Sequence, residues 1–230
     1  MQLIILTIGF ILLTIVTYFL MNVIYMKFHW PFLVPIITTT IVLIVILVVF
    51  NVSYDTYMAG GQWIDKLLGP AVVSLAIPLY KQRDLLKQHI YPIVSGILAG
   101  CITGMVTGVL LAKSAGFPKE LVLSILPKSI TTPIAMQIAA QVGGIPALAA
   151  VFVIIAGISG VLLSHYFLTF FKLDSTLGRG IGLGVATHAI GTSKAIEYGE
   201  QEASLSSVAM TLSAIFGSLL GPLIAWMFYG

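Results

Sequence analysis

Residues 126–140 read LPKSITTPIAMQIAA, and this stretch decides the fold. Two prolines, one lysine and three hydroxyl residues interrupt an otherwise strongly apolar chain, where an unbroken membrane helix would carry none of them. Pro127 and Pro133 each remove a backbone N–H donor and disfavour helix at the residue before. The backbone is therefore expected to break here. Hydrocarbon cannot satisfy freed carbonyls and amides, so a break at membrane depth must face protein or a watery cavity. Ser129, Thr131 and Thr132 then become candidates to present hydroxyls, with loose backbone groups, to a small polar solute.

The rest of the composition supports membrane depth. Of 230 residues, 59% are hydrophobic and 8% charged, against about 25% charged in soluble domains. The mean hydropathy is +1.08. With roughly 20 residues per spanning helix, the length holds about six to eight spans and no sizeable soluble domain. The expectation is one polytopic membrane domain over residues 1–230. The net charge of +3 comes from basic residues scattered over connections, with no basic block, so nucleic acid is not implied. Cys101 is the only cysteine, which excludes an internal disulfide. The first apolar run exceeds a signal-peptide core and is read as a retained helix; no organelle transit peptide is visible.

Outward from the break, residues 3–26 and 32–52 are long, uncharged apolar runs, read as scaffold helices within residues 1–59. Lys27, His29 and Trp30 form an interfacial connection between them. A transport core is expected over residues 60–230. Its first span, 60–80, is interrupted by Gly69, Pro70 and Pro78. The segment KQRDLLKQH at 81–89 has three permanent cations against one acid and belongs on the cytoplasmic side. Residues 91–112 carry Gly96, Gly100, Gly104 and Gly108 at intervals of four, a smooth stripe that lets another helix approach closely, in the centre of the bundle or at a dimer contact.

Residues 145–171 and 205–228 are further smooth spans. Between them, RGIGLGVATHAIGTSKAIEY at 179–198 is again broken in character. If both basic connections, 81–89 and 172–179, are cytoplasmic, an even number of crossings separates them. Residues 119–144 then enter and leave on the same side as a re-entrant hairpin, and 179–198 form a second hairpin from the other face. The alternative is that both segments cross fully as discontinuous helices. The expected fold is all-α, with about six spanning helices plus two broken or re-entrant segments arranged as inverted repeats.

Several side chains in the breaks are candidates for chemistry. His188 is an intramembrane ionisable group, and its ordinary pKa of about 6.5 suits proton coupling; the alternative is a neutral imidazole bonded to a backbone carbonyl. Lys128 and Lys194 sit beside broken backbone and could attract a carboxylate, or could snorkel to an interface. Ser129, Thr131, Thr132, Thr187, Thr192 and Ser193 form the hydrogen-bonding set, with Pro133, Gln137 and Gly191 within the same breaks. Glu197, Glu200 and Glu202 read as a solvated corner at a helix start.

Two other chemistries find no support. GISG at 157–160 together with His188 and Gly191 superficially resembles an intramembrane serine protease pattern, but Ser159 lies in a smooth apolar span without a base in sequence context. No enzyme is expected. His29, His89, His165 and His188 show no metal-ligand spacing, and no metal or cofactor is expected.

Three stretches carry a family resemblance: IPLYKQRDLLK at 77–87, LPKSITTPIAMQIA at 126–139 and THAIGTSKAIEYGEQEASLSSVAM at 187–210. With them the chain resembles the LrgB/CidB family, in its CidB-like branch, from about residue 60 to the C-terminus. The resemblance implies a multi-pass protein of the bacterial plasma membrane, holin- or antiholin-like, controlling murein hydrolase activity and autolysis beside a small CidA/LrgA-type partner. It also implies transport of small carboxylates, such as pyruvate in bacteria or glycolate and glycerate in a plastidal translocator. A holin needs mainly to oligomerise, whereas two hydroxyl-rich breaks and an intramembrane histidine fit a transporter. The expectation is a proton-coupled monocarboxylate carrier, acting as a homo-oligomer or with that partner; the alternative is a holin-like regulator assembled through the glycine stripe.

Overall fold

The computed structural model describes residues 2–28, 33, 35–74 and 76–230. Among these residues it is wholly helical, in the order α1 (Gln2–Phe28), α2 (Pro35–Val49), α3 (Tyr54–Asp65), α4 (Leu68–Ser74), α5 (Ala76–Lys81), α6 (Arg83–Gln88), α7 (Ile90–Ser114), α8 (Lys119–Ile125), α9 (Thr132–Val142), α10 (Pro146–Phe170), α11 (Thr176–Ala195) and α12 (Glu200–Tyr229). In α1, α7, α10 and α12 the apolar run is long enough to cross a hydrocarbon core of ~30 Å. Helix α2 has 15 residues and reaches only about 22 Å at a rise of 1.5 Å per residue. Of the interfacial residues expected between the first two spans, His29 and Trp30 lie outside the described residues. The expected span at 60–80 is distributed over α3, α4 and α5 rather than forming one helix.

The chain divides into two compact units, Met1–Ala71 and Val72–Gly230. In the first unit α3 lies directly on α1. A Cβ on Gly60 would stand 2.7 Å from both the Thr7 carbonyl and the Phe10 Cβ, so only glycine permits this approach. The hydroxyls of Thr14 and Tyr57 share a 2.9 Å hydrogen bond, and the rings of Phe10 and Tyr57 meet edge to face at 5.7 Å.

In the second unit α7 and α12 run in the same direction. The Cys101 thiol donates to the Ser213 carbonyl at 3.9 Å, and further along the Met105 methyl meets Gly217. At their C-terminal ends the Lys113 ammonium lies 5.0 Å from the Tyr229 ring centroid. Between these helices and α10, two segments fold back on themselves.

The first hairpin is α8, a turn at 126–131, and α9. Helix α8 runs back along α7, so that Ile125 and Lys128 meet Gly108 and Ser129 meets Gly104. Pro127 lies just past α8, Thr131 is extended at φ −57°, ψ 138°, and Pro133 occupies the first turn of α9. Helix α9 then returns to the level it left. A Cβ on Gly144 would stand 2.9 Å from the Leu123 carbonyl carbon, and the Ile145 N–H donates to Ser124 Oγ at 2.7 Å. Gly143, at φ 89°, terminates α9 in the left-handed conformation that glycine accepts without cost.

The second hairpin lies within α11, which is two helical arms joined at His188 (φ 49°, ψ −128°). A Cβ on Gly191 would stand 2.6 Å from the Leu183 carbonyl. In a straight helix those residues would be about 12 Å apart along the axis, so the chain reverses. The Arg179 guanidinium stacks over the Tyr198 ring at 5.6 Å and closes the mouth of this hairpin. Gly180 faces Leu205 and the Glu202 carbonyl near the start of α12, whereas α8 and α9 reach its end, Lys119 and Val142 lying beside Tyr229. The hairpins therefore enter from opposite ends of α12.

Two buried clusters follow this division. Met105, Val109, Val122, Leu126, Ile130 and Ile138 pack the first hairpin between α7 and α12. Ile93, Ile97, Cys101, Val185, Leu205 and Val208 pack the second. Lipid competes with protein for apolar surface, so close dispersion contact, rather than removal from water, holds these layers.

Candidate functional site

The hairpin tips meet half-way along α7, beside Gly104. The Lys128 ammonium donates to the Gly104 carbonyl at 3.1 Å and to Ser129 Oγ at 3.3 Å. Its Cε would stand 3.0 Å from a Cβ on Gly108. The stripe expected to receive a neighbouring helix thus receives both hairpins: Gly104 and Gly108 take the first tip, while Gly96 faces Ile181 and Gly100 faces Val185 of the second. The fourfold spacing was visible in the sequence; which segment lay on it was not.

A cleft of about 910 Å³ opens between α7, α10 and the two hairpins. Its walls are mainly apolar, including Phe152, Ile155 and Phe167 on α10 and Val185 on α11. Lys128 is the one ionisable side chain among the described residues lining it. The ammonium therefore faces the cleft with a carbonyl and a hydroxyl as partners and no carboxylate. An intramembrane cation without a counter-ion is costly, and a bound anion would complete it.

His188 lies against Lys128, close to both its backbone and its charge. The imidazole is only 3% exposed, and its Nε2 has no hydrogen-bond partner among the described residues. Its backbone conformation is that of the first central residue in a type II′ turn, a region populated chiefly by glycine. The turn falls on His188 itself, between Gly184 and Gly191, rather than on either glycine.

Neighbouring hydroxyls fasten the second hairpin. Thr187 is buried and donates to the Leu183 carbonyl at 2.6 Å. It packs against Gly160 and Gly191, at each of which any side chain would collide with it. Thr192 donates to the His188 carbonyl at 2.9 Å and shares a 3.0 Å hydrogen bond with Ser206.

The remaining candidates are dispersed. Thr131, Thr132 and Pro133 are half-buried at the start of α9 and do not line the cleft. Gln137 and Ser193 are exposed, and Ser193 donates to the Ala189 carbonyl. Lys194 is paired with Glu197 on the surface. Thr103, Thr107 and Ser159 line the cleft although the sequence did not single them out as ligands. The available signal was their position: Thr103 and Thr107 each precede a glycine of the stripe. Among the described residues no group of three histidine, cysteine or acidic side chains could hold a metal ion.

Comparison with known proteins agrees over nearly the whole chain. The model of the LrgB-like family matches residues 14–227. The uncharacterized protein YxaC of Bacillus subtilis (strain 168) is 53% identical over 219 residues, covering 95% of each chain. The holin-like protein CidB of Staphylococcus aureus is 34% identical over 219 residues, 95% of this chain and 96% of its own. That of Staphylococcus epidermidis is 35% identical with the same coverage. No solved structure matches.

Proposed function

Because the chain belongs to the LrgB-like family and is a multi-pass bacterial membrane protein, we propose that it carries small monocarboxylates such as pyruvate across that membrane. The observation behind this reading is Lys128. It lines a cleft without a carboxylate, at the place where two hairpins from opposite ends of α12 bring their tips together. Broken helices meeting near mid-depth are how many secondary transporters hold a substrate.

In this reading the substrate carboxylate sits on the Lys128 ammonium and Ser129 Oγ, and His188, buried beside Lys128, links the site to a proton. A small carboxylate is compact enough for the cleft beside the tips, and the apolar wall of α10 accommodates its short carbon chain. The protein acts as a homo-oligomer or with a small CidA/LrgA-like membrane partner, and any influence on murein hydrolases and autolysis follows from carboxylate flux.

The test is uptake of labelled pyruvate into proteoliposomes holding only the purified protein, with and without an imposed pH gradient. Saturable uptake that the gradient drives and His188→Ala abolishes is the expected result. The names of the staphylococcal relatives favour a second reading, a holin-like lesion. It predicts leakage of unrelated dyes and no saturable uptake.

A further inference from the structure

We propose that the end of the bundle where α7 and α12 stop is a binding site for an anionic phospholipid, its phosphate held by Lys113 and Lys119 around the ring of Tyr229. The inference does not depend on what the cleft carries.

The apolar runs of α7 and α12 reach Ser114 and Tyr229, so both crossings leave the hydrocarbon at this level. Helix α8 starts there with Lys119. The Lys113 and Lys119 ammonium groups lie 5.0 and 5.2 Å from the Tyr229 ring centroid, and Lys113 also lies 5.9 Å from that of Phe228. One ring thus gathers two like charges. The quadrupole of the ring attracts them and fixes their place, but it carries no net charge to neutralise them. Neither lysine makes an ion pair among the described residues, not even with the neighbouring Glu120. The positive-inside bias does not account for them either. It gathers cations on one side of the membrane, and the basic connection 81–89 lies at the opposite end of α7. Two cations without counter-ions at a membrane boundary are a site for an anionic headgroup.

The surroundings fit a lipid rather than a dissolved ion. A groove of about 280 Å³ runs beside the pair, with Lys119, Tyr229 and Gln141 as its polar wall and Leu123, Val142 and Pro222 as its apolar one. The exposed Gln141 carboxamide both donates and accepts, which suits a headgroup hydroxyl. Leu111 and Leu223 are exposed on the last turns of α7 and α12, so the chains below the headgroup meet apolar surface. Trp226 lines the same groove and reports on its occupant.

The test uses the full chain carrying W30F/W63F, which leaves Trp226 as its only tryptophan, in phosphatidylcholine vesicles with a minor fraction of brominated lipid. Bromine on the acyl chains quenches a tryptophan only at short range. Brominated phosphatidylglycerol should quench Trp226 as though enriched about five- to thirtyfold over brominated phosphatidylcholine, the factor expected from one to two lysines at an anionic headgroup. K113Q/K119Q should bring that ratio towards one, K113R/K119R should keep it, and Lys87→Gln, beyond the other end of α7, should leave it unchanged. Lys119→Gln alone carries the test if the double variant fails to assemble, and should lower the ratio severalfold. Equal quenching by the two lipids in the wild type overturns the site, as does an excess that persists in K113Q/K119Q or Lys119→Gln. Loss of the excess when inorganic phosphate is added at constant ionic strength assigns the lysines to a dissolved anion and overturns the lipid.

Discussion

Lys128 and His188 lie close together although they belong to different hairpins. The first hairpin places Lys128 against the Gly104 carbonyl; the second turns at His188 itself. The pair is the junction between two structures that share no sequence neighbourhood, so each partner can be tested separately.

Removing the ammonium should remove the anion. A hydrogen bond to a charged group contributes about 1.5–3 kcal/mol, so Lys128→Met is expected to raise the KM for pyruvate uptake by about ten- to a hundredfold. The same change at Lys194, already paired with Glu197 on the surface, should alter KM by less than about twofold. Equal effects at the two lysines would contradict the assignment of Lys128 as the counter-charge.

The backbone of His188 predicts a stability order that a purely chemical role would not. At φ 49° a side chain is strained, and a residue in such a region costs about 1–3 kcal/mol. His188→Gly should therefore melt at a higher temperature in detergent than His188→Ala, by a margin equivalent to about 1 kcal/mol. The reverse order would show that the chain does not turn there in this way.

Glycine at position 100 is set by the second hairpin. A Cβ on Gly100 would stand 2.6 Å from Val185 Cγ1, so Gly100→Ala forces the hairpin arm outward and should cost about 1–3 kcal/mol. Gly9, whose added Cβ would meet nothing within 4 Å, should tolerate alanine with no loss. Thermal unfolding of the two variants side by side is the measurement.

Reversal at His188 can be trapped. Thr192 and Ser206 hydroxyls are 3.0 Å apart, so T192C/S206C in a Cys101→Ala background should oxidise to an intramolecular disulfide, detected by loss of maleimide labelling. If residues 179–198 instead crossed as one straight helix, residue 192 would stand more than a turn beyond residue 184, which itself backs onto Ser206. Persistent labelling after oxidation would count against the hairpin.

Sequence and structure agree most closely where chemistry and conformation coincide. Pro127 and Pro133 announced a break because proline changes the backbone, and the charge of the connections implied that the break returns to its own side. Lys128 stands out in the sequence as a cation where hydrocarbon tolerates none, and the structure places it on the cleft. His188 stands out as an ionisable group, but that the chain turns at this residue rather than at a neighbouring glycine is visible only in the structure. Thr103 and Thr107 were obscured by their setting. A hydroxyl in an apolar helix usually satisfies itself on its own backbone, as these do, and only the structure shows that they line the cleft. Long-range placement, such as the burial of Thr187 against Gly160, depends on packing between segments distant in sequence, which no local pattern encodes.

Helix α12 supports both hairpins, the second through Leu205 and Ser206, the first through Gly217 and Gly221. A ribosome completes the first hairpin long before it makes its support. Until about residue 221 has emerged, Ile130 and Ile138 have no glycines to seat them, and the polar tip has only half of its enclosure. Synthesis from the N-terminus therefore makes the proline-broken segment before the helix that seats it, and the packing around the tip is complete only when the last helix is in place. Loss of the final turns would strike first at a hairpin encoded some ninety residues earlier.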